Sequence, residues 1–401
     1  SFLLGELFNR MNMPKVLGPI LLGLIFTQDP FIHLFDSPFT FKIFDFVKDI
    51  AIIFLMFFVG LKIDVRDFKK TSKRSILVGI LASMIPFLLG FFFVIVLNAL
   101  GLFNNFLTND SSVFLVAFVV GICLSITAEG VIVEILEELK LIKTIIGETV
   151  IEAGVIDDIV GILMISGLVA FIPGQMNGAG NAGFVVLGKI LDMLIFLSIL
   201  LIISKFIVPI VMKMVERGKS TINFFSVSIM FALFFSFLTQ FFDLGGSILG
   251  ALFGGMVIRY TLMTGDSYEK REERYISDVL EVVTFGFFAP FFFIWIGLNT
   301  NVSILFVAPV MAIVLIILGI AGKMSGSVLG NVLARGRSWE GFIIGWGMNT
   351  RGGVDIMVAT LALTSGIISG NLFSLLVFMS FATTVISPVL FKHLVKKHHG
   401  V

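Results

Sequence analysis

Apolar residues run along this chain in long blocks, separated by short breaks rich in charge, glycine or proline. Hydropathy and these breaks predict thirteen helical segments, at about residues 1–12, 14–28, 43–63, 74–100, 112–139, 142–172, 183–216, 221–242, 245–263, 274–299, 302–335, 338–366 and 370–396. Most are long enough to cross the ~30 Å hydrocarbon core of a bilayer at 1.5 Å per residue. The second is short, opened by Pro14 and flexed at Gly18-Pro19. The fifth and twelfth carry a polar break in mid-span: Ser125-Ile126-Thr127-Ala128-Glu129-Gly130 and Asn349-Thr350-Arg351-Gly352-Gly353. Gly and Thr in such places suit an unwound backbone lining a cavity.

Composition fixes the class. The chain has 401 residues, 57% of them hydrophobic and only 14% charged, against about a quarter charged in a soluble domain. The long apolar blocks indicate an all-α polytopic membrane protein; a spanning β-barrel needs short alternating segments instead. A net charge of +1 gives no reason to expect nucleic acid. The single cysteine, Cys123, lies in an apolar segment and forms no disulfide framework.

Charge then orients the segments. Loops after odd-numbered segments are basic, with Lys62, Arg66, Lys69, Lys70, Lys73 and Arg74 after the third and Arg335 and Arg337 after the eleventh. Even-numbered loops hold almost no Lys or Arg. By the positive-inside rule the basic side is cytoplasmic, which puts the N-terminus outside and the C-terminus inside the cell membrane. Lys189 and Lys205 lie toward the ends of the seventh segment and can snorkel. Lys323 and Arg351 are deeper and need partners.

The two halves resemble each other. Phe57-Phe58-Val59-Gly60-Leu61 in the third segment parallels Ile294-Trp295-Ile296-Gly297-Leu298 in the tenth. Leu17-Gly18-Pro19-Ile20 parallels Leu249-Gly250-Ala251-Leu252, and Thr127-Ala128-Glu129-Gly130-Val131 parallels Thr350-Arg351-Gly352-Gly353-Val354. Segment n thus maps onto segment n+7, so matching helices run in opposite directions. The prediction is two inverted six-helix repeats joined by the seventh segment, with discontinuous helices 5 and 12 crossing. Half-helix ends that face one another leave dipole charge at the crossing, which Glu129 and Arg351 are placed to offset.

The chemistry concentrates in the sixth segment. Asp157 and Asp158 interrupt an apolar run about 21 Å from Lys143 along a helix, near mid-bilayer. A carboxylate there costs at least a few kcal/mol, which points to binding an ion, carrying a proton or pairing with a buried cation. Adjacent residues point about 100° apart on a helix, so one static partner does not easily neutralise both. Glu152 is read as the partner of Arg351, and Glu148 as a residue lining a cytoplasmic funnel.

The Val155-Ile156-Asp157-Asp158 stretch after a Thr127-containing broken helix resembles the sodium/proton antiporters of the cation:proton antiporter superfamily, the double-Asp type of its second family. Gly5-Glu6-Leu7 with Pro14-Lys15-Val16-Leu17-Gly18-Pro19, Phe291 to Leu298, and Gly347-Met348-Asn349-Thr350-Arg351-Gly352-Gly353-Val354 resemble its other signatures. The resemblance implies scaffold and dimerisation helices at 1–73 and 221–301, core helices at 74–172 and 302–401, and a linker at 173–220. It implies that Asp158 binds cation and proton alternately, that Asp157 pairs with Lys323, and that Thr127 and the backbone at the break supply oxygens to the ion. It further implies a homodimer in the membrane, without cofactor, nucleic acid or other protein partner.

Na⁺ and Li⁺ are hard cations that want oxygen ligands, and a carboxylate holds a proton or the ion but not both. The expected function is therefore electrogenic Na⁺(Li⁺)/H⁺ exchange by alternating access. A K⁺/H⁺ antiporter or K⁺ efflux system on the same scaffold is the alternative. An intramembrane aspartyl protease is disfavoured, because its two Asp must come from different helices.

Overall fold

The computed structural model describes residues 2–10, 17–27, 38–62, 72–103, 106–107, 112–127, 136, 141, 144–170, 195, 198–200, 202–217, 221–241, 246–264, 278–351 and 354–399. Among the described residues there is no β-strand. The helices are α1 (Phe2–Arg10), α2 (Leu17–Phe26), α3 (Pro38–Lys62), α4 (Lys73–Ala99), α5 (Val113–Ser125), α6 (Ile145–Ala170), α7 (Val208–Arg217), α8 (Thr221–Phe241), α9 (Gly246–Thr264), α10 (Asp278–Leu298), α11 (Pro309–Leu333), α12 (Ser338–Gly347), α13 (Val354–Thr364) and α14 (Gly370–His399). α4, α10, α11 and α14 are each long and apolar enough to cross a membrane. The helices follow the apolar blocks, although α3 begins at Pro38 rather than near residue 43. Glu129, Gly352, Gly353 and the first part of the seventh segment, including Lys189, lie outside the described residues.

The chain divides into two compact units: Ser1–Phe31, Lys70–Leu168 and Ile296–Val401 form one, Ile32–Lys69 and Val169–Trp295 the other. In the second unit α3 packs on α9 through paired glycines, Gly60 against the Leu252 carbonyl and Gly255 against that of Phe57. Neither position has room for a Cβ. Lys48, buried in α3, pairs with Asp45 at 2.9 Å and Asp49 at 3.0 Å and lies 4.7 Å from the Trp295 ring centre. Its charge is thereby satisfied within one helix and one ring face. π-turns occur at Ile203–Ile207 just before α7 and at Thr284–Phe288 within α10.

The first unit holds the deep charges. α4 and α11 lie against each other along a ladder of small residues. A Cβ on Gly322, Gly326 or Gly330 would stand 2.6 Å from the Cα of Pro86, Ala82 or Val78 respectively. Small residues at every fourth position let two backbones approach where lipid supplies no hydrophobic drive. Gly79 does the same for α4 and α6, since a Cβ there would stand 2.6 Å from Ile156 Cβ. Beneath these contacts Val78, Ala82, Val150, Ala153, Ile344 and Met348 form one apolar cluster. Glycine packing thus brings α4, α6 and α11 together at the level of Asp157 and Lys323.

Candidate functional site

Asp157 sits in the middle of α6 and is 2% exposed. Three donors from three elements converge on it. Lys323 Nζ, from α11, donates to Oδ1 at 2.8 Å. Ser83 Oγ, from α4, donates to the same oxygen. The backbone N–H of Thr127, just past the end of α5, donates to Oδ2 at 3.0 Å. Lys323 is fully buried, so its ammonium and this carboxylate form an ion pair away from solvent. Removing one partner of such a pair strands the other charge and is strongly destabilising.

Asp158, one residue on, is different. It is only partly buried, and no hydrogen bond or ion pair joins it to the described residues. It stands within electrostatic reach of both Asp157 and Lys323. One carboxylate is therefore fully engaged and its neighbour is open.

The chain around the pair is unwound where the polar breaks predicted it. α5 ends at Ser125, α12 ends at Gly347, and the described residues Met348 to Arg351 after it lie outside any helix. The freed groups are satisfied by hydroxyls. Thr127 Oγ1 donates to the Met348 carbonyl at 2.9 Å, Ser387 Oγ to that of Asn349 at 3.2 Å and Thr384 Oγ1 to that of Arg351 at 2.6 Å. Each of these carbonyls retains a second lone pair, as does the Thr127 hydroxyl.

Arg351 closes the crossing, but not with the partner that charge matching suggested. Its guanidinium donates to the Cys123 and Leu124 carbonyls in the last turn of α5, and more weakly to Gly319 O at 3.5 Å. A cation at a helix C-terminus offsets the negative end of the dipole. Asp355 opens α13 beside it, buried and within electrostatic reach. The expected Glu152–Arg351 pair is not formed. Glu152 Oε2 instead accepts from the Ser72 N–H, the N-cap of α4, at 3.0 Å. Five residues separate Glu152 from Asp157, about 7.5 Å along the helix, which places Glu152 at the end of the bundle rather than at the crossing. Glu148, one turn further, is exposed.

Ser83, Thr384 and Ser387, which the sequence pattern does not single out, and Ser125 of the polar break supply hydroxyls at this crossing. Each is fully buried in an apolar helix. Ser125 Oγ donates to the Ser83 carbonyl at 2.8 Å and so ties the end of α5 to α4.

Replacing Arg351 with Ala is expected to lower stability by about 3–5 kcal/mol, because the α5 carbonyls and Asp355 lose their cation. Thermal unfolding in detergent should fall well before the apparent cation affinity changes; the reverse ranking would place Arg351 in the ion path.

A family model described as sodium/hydrogen exchanger, transmembrane, matches residues 1–397. The chain belongs to the sodium/hydrogen exchanger family. It is therefore a membrane-embedded transporter rather than an enzyme. It is 26% identical over 393 residues to the Na(+)/H(+) antiporter of Enterococcus hirae, a match covering 98% of this chain and 94% of that protein. It is 28% identical over 403 residues to K(+)/H(+) antiporter 1 of Saccharomyces cerevisiae, where the match covers 96% of this chain but spans only 44% of the yeast protein. Among solved structures, the sodium proton antiporter MjNhaP1 from Methanocaldococcus jannaschii at pH 8 matches with a TM-score of 0.66. That alignment covers 100% of this chain and 96% of that one at 16% identity, a likeness of fold.

Proposed function

We propose that this exchanger moves Na⁺ or Li⁺ against H⁺ across the cell membrane, with the proton and the cation competing for the Asp157–Asp158 pair. The observation that carries the reading is the asymmetry of the two carboxylates: Asp157 holds Lys323 in a buried ion pair, while Asp158 has no hydrogen bond to the described residues and is partly exposed. Asp158 is the carboxylate that trades a proton for a cation. On this reading the Thr127 hydroxyl, which bonds the Met348 carbonyl, and the carbonyls of the unwound segments supply the remaining oxygens that a hard cation wants. Two unwound segments at matching places of the inverted repeat that the sequence suggests fit alternating access, the first unit's site facing each side in turn. On this reading the protein works as a homodimer, with core helices at 74–172 and 302–401, scaffold helices at 1–73 and 221–301, the N-terminus outside and the C-terminus in the cytoplasm.

K⁺ as the exchanged ion is the second reading, favoured by the yeast relative's description as a K(+)/H(+) antiporter. Proteoliposomes loaded with a pH-sensitive dye and given Li⁺, Na⁺ and K⁺ in turn separate the two. Na⁺ and Li⁺ are expected to drive proton movement and K⁺ to leave the dye at baseline. A response to K⁺ alone would replace the first reading by the second.

A further inference from the structure

The unwound segment after α12 is buried throughout: Met348, Asn349, Thr350 and Arg351 are each 2% exposed or less. The hydroxyls around it have their hydrogens placed. Those of Thr127, Ser387, Thr384 and Ser125 all go to backbone carbonyls. Asn349 lies among them, and its Nδ2 donates to Ser387 Oγ at 3.1 Å. The Ser387 hydrogen is committed to the Asn349 carbonyl, so the Ser387 oxygen has to accept from the side-chain amide. This sets the orientation of the amide, and Oδ1 is turned away from Ser387. Among the described residues no donor reaches Oδ1. A buried acceptor without a partner costs stability, and native folds leave few of them.

Resting on the reading of this crossing as the cation site, we infer that Asn349 Oδ1 is a ligand of the transported Na⁺ or Li⁺. The segment that carries it is tied to the carboxylate pair by two hydrogen bonds. Thr127 Oγ1 donates to the Met348 carbonyl at 2.9 Å, and the Thr127 N–H donates to Asp157 at 3.0 Å. Where every nearby hydroxyl hydrogen is already placed, a cation is the group that can still satisfy this lone pair. Hard cations take side-chain amide oxygens readily. The amide is neutral, so it replaces an oxygen of the ion's hydration shell without adding to the charge of Asp157 and Asp158. It sets how tightly the ion is held and leaves the exchange of charge to the carboxylates. An asparagine that only ties the unwound segment to α14 engages Nδ2 in the same way but has no use for Oδ1.

The test is Na⁺ affinity, measured at one pH by calorimetry on the solubilised protein, together with KM and maximal rate of Na⁺-driven H⁺ movement in proteoliposomes. It compares the native protein with Asn349→Ala and Ser387→Ala. Asn349→Ala is expected to weaken Na⁺ binding and raise KM about tenfold, the worth of one polar contact to a charged group, and to keep the maximal rate within about twofold. Ser387→Ala breaks the tie to α14 but keeps the oxygen. It is expected to lower the thermal midpoint and to change Na⁺ affinity by less than about threefold. Native affinity in Asn349→Ala overturns the inference, and so does equal weakening in both variants, which marks the tie to α14 as the whole effect. Should Asn349→Ala not fold, Asn349→Leu, similar in size and without the oxygen, is read by the same criteria. A native protein that binds Na⁺ no better than Asn349→Ala removes only this ligand. A native protein that binds no monovalent cation removes the exchange reading and this role together.

Discussion

An Asp158→Asn protein is expected to fold as the native one does and to lose Na⁺-dependent proton movement down to the baseline of empty liposomes. Two features of the site lead to this outcome. The side chain has no hydrogen bond or ion pair with the described residues, so exchanging one oxygen for an amide leaves the packing of α6 intact. The same change removes the only carboxylate of the pair that is not already committed to Lys323, and with it the group that can carry either a proton or a cation. Asn is neutral in both states, so nothing in the variant can trade one for the other. Size-exclusion behaviour and the thermal midpoint check the first half of the expectation, and dye quenching after a Na⁺ jump checks the second. Substantial exchange by a folded Asp158→Asn protein would take the site away from Asp158.

The second large effect is electrical. Lys323 donates to Asp157 from a fully buried position. If cation entry displaces that pair, Lys323 gives up a proton alongside the one leaving Asp158, and two H⁺ cross for each Na⁺. One net charge then moves per cycle, and a membrane potential of 100 mV contributes about 2.3 kcal/mol to the driving force. Na⁺-driven H⁺ movement by the native protein should therefore respond strongly to an imposed potassium-diffusion potential. Lys323→Gln keeps an amide that can donate to Asp157 but has no proton to give. The expected variant is a voltage-indifferent exchanger with lowered stability. A native protein indifferent to voltage would remove the two-proton scheme. A Lys323→Gln protein that still responds would keep the scheme and take Lys323 out of it.

Much of this arrangement is legible in the residues, and the parts that are not share a physical cause. The helices follow from long apolar blocks, because a bilayer leaves the backbone few other ways to satisfy itself. Asp157, Asp158, Lys323 and Arg351 stand out because a charge at mid-membrane is costly and cannot be accidental. The polar breaks near Thr127 and Arg351 mark where α5 ends and where α12 and α13 part. What sequence cannot display is a backbone acceptor. The carbonyls of Cys123 and Leu124, which take the Arg351 guanidinium, carry no residue signature, so charge complementarity pointed to Glu152 instead. Counting helical rise would have helped, since Glu152 lies more than a turn from the crossing. Ser83 was hidden for a related reason: a serine in an apolar helix can always bond its own backbone, and only the contact of α4 with α6 at Gly79 brings it to Asp157.

The central claim is that a proton and a cation compete for one carboxylate site, and binding tests it without transport. Solubilised protein titrated with Na⁺ should release protons, measured by calorimetry in two buffers of different ionisation heat. Linkage further requires the apparent dissociation constant for Na⁺ to rise on the acidic side by about tenfold per unit fall in pH for each proton displaced, and so by up to about a hundredfold where both Asp158 and Lys323 give one up. Asp158→Asn should show neither effect. Na⁺ binding that releases no protons and keeps one affinity across the pH range would contradict the account.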